Sequence, residues 1–159
     1  MKRAALTLLL VACRPILAEP PRELKGHDGL AHNNSAVNAV TSHGWAAGYS
    51  SEGGCQQAVA WLAHTGQSYP EFRMGVCGQA NGLTHDWYVV GTASDSALDA
   101  SSDWAFVWFP GPGTQRLPGL GGTGETSTAV AVSAIHHVLG TITSGGTTHV
   151  VIWNVGSQP

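Results

Sequence analysis

The chain has 159 residues, of which 21 are glycine; 43% are hydrophobic and only 11% are charged. That length suits one domain, and the composition excludes a disordered chain, which would be rich in charge and poor in aromatics. The formal charge of −3 leaves no basic footprint for nucleic acid or for an anionic lipid surface.

The chain opens on a targeting signal. Lys2 and Arg3 precede an apolar run over 4–12, far short of the ~20 residues that span a bilayer and suited to the core of a secretory signal peptide. Ile16-Leu17-Ala18 offers a cleavage point before Glu19, giving a signal peptide over 1–18. Leu10-Val11-Ala12-Cys13 supports a second reading, because it resembles a bacterial lipobox. The signal is then 1–12, and a lipidated Cys13 anchors the protein to a membrane. Both readings place the protein outside the cytoplasm. Cleavage after Ala18 removes Lys2, Arg3 and Arg14 and no acid, so four basic residues face ten acidic ones and the net charge becomes −6. Cys55 and Cys77 stay behind as an even pair in an oxidising compartment, so a disulfide is expected. Two free buried thiols are the alternative.

Beyond the leader the chain repeats itself, the first thing to look for in any sequence. A nine-residue segment occurs three times without gaps: VTSHGWAAG (40–48), LTHDWYVVG (83–91) and VSAIHHVLG (132–140). Each reads aliphatic, hydroxyl, three variable residues, aromatic or histidine, two small or aliphatic residues, then Gly48, Gly91 or Gly140. An apolar run ending in tryptophan follows each copy: AVAW (58–61), AFVW (105–108) and VVIW (150–153), closing on Trp61, Trp108 and Trp153. A third element precedes two copies. Leu24, Gly26 and Gly29 match Leu117, Gly119 and Gly122 in spacing, and Ser35-Ala36-Val37 matches Thr128-Ala129-Val130. Repeat units over 24–71, 72–116 and 117–159 follow.

Short apolar runs rich in valine and tryptophan are strand signals. The three glycines belong where a strand turns, bulges or closely approaches another backbone. The hydroxyls of Thr41, Thr84 and Ser133 suit backbone bonds at a turn, and the three tryptophans bury enough apolar surface to cement one repeat to the next. A period of 43 to 49 residues with about four short strands fits a propeller blade. The expected fold is therefore all-β, with three propeller-like blades of antiparallel strands in an incomplete ring.

These residues carry a resemblance. The order "aliphatic-N-x-x-G-x-V-V-G", "H-A-F-x-W", "L-G-x-L-G-G" resembles the HAF repeats of bacterial extracellular proteins. Trp104-Ala105-Phe106-Val107-Trp108 matches its A-F-x-W core and Leu117-Pro118-Gly119-Leu120-Gly121-Gly122 its connector. The likeness covers roughly 24–158. Thr41, Thr84 and Ser133 stand where the pattern has asparagine, and its mid-motif glycine survives only as Gly44, with Trp87 and His136 in the other copies. The resemblance implies an exported, propeller-like all-β protein and no particular reaction.

Sites for chemistry are few. Eight histidines, His27, His32, His43, His64, His85, His136, His137 and His149, form no zinc spacing. Neighbours such as His136 and His137 would point to opposite faces of a strand. Asp95, Asp99 and Asp103 lie in one loop but lack the alternating calcium-loop pattern, so a solvated surface insertion is the expectation. There is no nucleophile elbow, and His27-Asp28 and His85-Asp86 supply acid–base residue types only as sequence neighbours. The glycines at 119, 121 and 122 lead into no lysine or helix, so they form no phosphate cradle. No catalytic, cofactor or metal residue is assigned.

The expected function is that of an exported, non-enzymatic repeat protein offering a binding surface to a ligand or protein partner. A secreted hydrolase working in a propeller channel and a truncated repeat-protein remnant are the alternatives. Three blades fall short of the ~4–8 that close a ring, and open blade edges invite self-association.

Overall fold

The computed structural model describes residues 24, 34–52, 55–62, 67–68, 77–94 and 103–156. The leader with Cys13, and His27, His32, His64, Asp95 and Asp99, lie outside the described residues. The described chain is all-β, with no helix, and its strands form three antiparallel sheets, none closed on itself. The first sheet holds β1 (Ser35–Val40), β2 (Trp45–Glu52), β3 (Cys55–Leu62) and β4 (Gln67–Ser68). The second holds β5 (Cys77–Leu83), β6 (Val89–Ser94), β7 (Asp103–Phe109) and β8 (Gly113–Arg116). The third holds β9 (Thr126–Val132), β10 (His137–Ser144) and β11 (Thr147–Asn154). Each sheet is a meander in which neighbours in sequence are neighbours in space.

The nine-residue segment is the turn and second strand of each meander. The N–H of Thr41, Thr84 and Ser133 donates to the carbonyl of Trp45, Tyr88 and His137 at 2.8, 2.9 and 2.9 Å. The hydroxyls of the same residues accept from the N–H of Trp45, Tyr88 and His137 at 3.2, 3.0 and 3.1 Å. These are three-residue hairpin loops, which place their last residue in the left-handed region. That residue is Gly44 (φ 80°), Trp87 (φ 76°) or His136 (φ 60°). Only one of the three copies has glycine there, yet all three loops share the conformation. The β10–β11 hairpin turns on Gly145-Gly146, both at positive φ, as a two-residue primed turn requires.

Ten residues before each repeat glycine the first strand of the sheet bulges. The irregularity falls at Asn38 in β1, Asn81 in β5 and Val130 in β9. Asn38 and Val130 are thus equivalent, which moves the match of Ser35-Ala36-Val37 to 128–130 by one residue; a single insertion between Leu24 and the bulge separates the two registers. The bulges join the sheets. Asn38 Nδ2 donates to the Ala80 carbonyl at 2.9 Å, and Asn81 Nδ2 to the Ala129 carbonyl at 2.8 Å. Each asparagine therefore reaches the residue just before the next sheet's bulge, and Val130 ends the series. Asn81→Ala is expected to cost about 1–2 kcal/mol, read as a lower urea midpoint with unchanged slope; an unaltered midpoint would remove the bond from the account.

The sheets pack large residues against small ones. Phe106 and Trp108 of β7 lie against Ala47, Ala58 and Ala60 of the first sheet. Val138, Ile142 and Trp153 of the third sheet lie against Tyr88, Val90, Ala105, Val107 and Phe109 of the second. Trp61 packs with Ala46, Val59 and Leu24. Leu117 holds the matching place beside Trp153, whose indole N–H donates to the Pro118 carbonyl at 2.8 Å. Cys55 and Cys77, at the starts of β3 and β5, are disulfide-bonded and tie the first sheet to the second.

Candidate functional site

The three hairpin loops stack into a row. The His43 ring lies 5.6 Å from that of His85, and Trp45 meets Trp87 edge-on. His43 and His85 are exposed, while Trp45 and Trp87 are half-buried. The row continues into the third sheet, where His136 Nε2 is 2.6 Å from Asp86 Oδ2. His136 also stacks on Tyr88 at 3.8 Å, and Tyr88 on Phe109 at 5.1 Å. The exposed Ile135 sits beside His136 on the last loop.

The sequence could not show that Asp86 partners His136 rather than its neighbour His85. Fifty residues separate the pair, and the contact exists because two equivalent loops are stacked. His136 is buried at the left-handed position of its loop, while His137 starts β10 and is exposed; the two do turn apart, though only His137 is on a strand. His149 lies on β11 and Asp103 begins β7. Among the described residues no cluster of three or more His, Cys, Asp or Glu side chains is placed to hold a metal ion. Among them, too, no serine or threonine hydroxyl is hydrogen-bonded to His136.

Burial raises the Asp86 pKa, but hydrogen bonds from Thr84, His136 and the backbone, with the charge of His136, outweigh it. They hold the carboxyl below its usual range. A carboxylate depressed in the folded state stabilises the protein above its unfolded value of ~3.9 and loses that contribution as pH falls through the folded value. The melting-temperature advantage of the wild type over Asp86→Asn is therefore expected at neutral pH and should shrink as the pH drops below about 4. An advantage that stays constant into acid would contradict the pairing.

The glycine connector is not an open anion cradle. The N–H groups of Leu120 and Gly122 donate to the Glu125 carboxylate at 3.0 and 2.8 Å. The Gly122 bond is the chief reason that the Glu125 pKa is lowered. The loop's donors are thus occupied by its own side chain. No family model, curated protein or solved structure matches the chain.

Proposed function

We propose that the chain is an exported, non-catalytic binding module of the HAF-repeat kind, its three sheets acting as propeller-like blades. The stacked hairpin loops form its ligand surface. The repeated meanders, the apolar leader and the Cys55–Cys77 disulfide support that reading.

The observation that carries the ligand surface is Trp87. A bulky L residue in the left-handed region costs roughly 1–2 kcal/mol, and retained strain of this kind points to use. The equivalent Gly44 shows that the turn alone asks only for glycine. Trp87 lies in a row with the exposed imidazoles of His43 and His85. Flat ring faces beside polar nitrogens suit a ligand that is flat and hydroxylated or aromatic, such as a sugar ring or an aromatic peptide side chain. Tryptophan fluorescence titrated with soluble glycans and aromatic peptides is expected to report saturable binding. Trp87→Gly should abolish it while leaving the melt near that of the wild type, because relief of backbone strain offsets lost packing. Undiminished binding by this variant would sink the assignment.

A further inference from the structure

The joint between the second and third sheets carries the one Asn-Gly pair in the sequence, Asn81-Gly82. Two separate packing demands put it there. Asn81 is the bulged residue of β5, and its Nδ2 donates to the Ala129 carbonyl of β9 at 2.8 Å. Its Oδ1 lies 3.4 Å from Asn38 Nδ2, so both polar atoms of the amide are held. Gly82 is buried against β9. A Cβ there would stand 2.9 Å from Val90 Cγ2, 3.1 Å from Ala131 Cα and 3.2 Å from Val132 N, so a side chain would push the third sheet away. The joint between the first and second sheets is built differently. Asn38 makes the equivalent bond, to the Ala80 carbonyl, but Ala39 follows it, and the Cys55–Cys77 disulfide ties the same two sheets.

We propose that Asn81 is a site of spontaneous deamidation, exposed to reaction when the third sheet lifts, and that its conversion then keeps that sheet loose. The backbone nitrogen of Gly82 loses its proton and attacks Asn81 Cγ. The Cγ–Nδ2 bond breaks, and Nδ2 leaves as ammonia with that proton. The five-membered imide so formed is opened by water at either carbonyl, leaving aspartate or isoaspartate; nothing is oxidised or reduced. Glycine at the attacking position has no Cβ to hinder ring closure, whereas Ala39 sets one beside Asn38. In the packed sheets the reaction is held back, because Cγ swings onto the Gly82 nitrogen only after the side chain lets go of the Ala129 carbonyl. Conversion is one-way. Nδ2 was the donor, and the carboxylate oxygen that replaces it faces that carbonyl, acceptor against acceptor. Leaving the carbonyl so placed costs more than losing the bond. Isoaspartate adds a backbone carbon besides, in a strand whose register the bulge already sets. Each opening of this joint is thus a chance to weaken it for good, and the Asp86–His136 contact spans the same two sheets.

Ageing the full chain, disulfide intact, at mildly alkaline pH tests this, with peptide mapping by mass spectrometry as the readout. In guanidinium chloride the chain is expected to gain aspartate and isoaspartate at 81 while Asn38 is still an amide. The native chain should convert at the same residue, but slower by about tenfold or more, the protection being set by how seldom the third sheet opens. Converted native chain, separated by its added negative charge, is then compared with unaged chain by hydrogen exchange. Its β9 and β10 amides should exchange about tenfold faster, with β2 and β3 much less affected. Asn81→Asp should show the same pattern without ageing. An unfolded chain that keeps Asn81 as the amide, a native chain that converts as fast as the unfolded one, or a converted chain whose β9 amides gain no more than those of β2 would each overturn the proposal.

Discussion

Replacing Gly91 by alanine is expected to destabilise the protein by about 3 kcal/mol or more, which lowers the melting temperature by roughly 6–12 °C in a chain of this size. Gly91 lies in β6, between β5 and β7 of the central sheet. A Cβ there would collide with the Gln79 carbonyl oxygen, stand 2.7 Å from Phe106 Cε1 and 2.9 Å from Ala80 Cα. Two of the three obstacles are backbone held in a ladder, so they move only by breaking it. The stabilisation that alanine brings by narrowing the unfolded ensemble, about 0.4–1 kcal/mol, is outweighed. Gly140→Ala belongs to the same class, meeting the Thr128 carbonyl oxygen and the Trp153 ring, while Gly48→Ala meets only the backbone around Ala36. A Gly91→Ala protein that melts within a degree or two of the wild type would refute the close approach.

Reduction of the Cys55–Cys77 bond is the second large effect. The bridge spans 22 residues, and closing a loop of that length in the unfolded chain is worth about 3 kcal/mol. Urea denaturation with and without a phosphine reductant should show a clear drop in midpoint, matched by Cys55→Ala/Cys77→Ala without reductant. Coincident curves would mean that the bridge stabilises nothing. The loss falls at the junction of the first and second sheets, because the two cysteines head strands on either side of it.

That Gly48, Gly91 and Gly140 stand where a strand turns, bulges or closely approaches another backbone needed only the sequence, because all three recur at one place beside apolar runs; which of the three it is, close approach, came from the packing of the strands. The hydroxyls of Thr41, Thr84 and Ser133 were legible for the same reason: a turn is local, and its residues announce it. The bulge asparagines were not read, although Asn38 and Asn81 each stand three residues before the hydroxyl. The third copy has valine there, and a pattern kept in two of three copies looks like chance until the sheets are stacked. The hairpin row was out of reach altogether. Asp86 and His136 belong to loops in different repeats, and which loop faces which depends on how whole sheets pack.

The asparagine bonds hold adjacent sheets at a common register, but the layers between them have diverged in size. From first sheet to third, Ala47, Val90 and Leu139 occupy one position, and Ala60, Val107 and Ile152 another. Opposite the alanines stand Phe106 and Trp108; opposite the valines stand Val138 and Trp153. The three repeats are therefore no longer interchangeable parts. A chain rearranged so that the second repeat followed itself would press Phe106 and Trp108 against valines where they now meet alanines. The motif still reads as a triplication, but each copy has become specific to its place in the order.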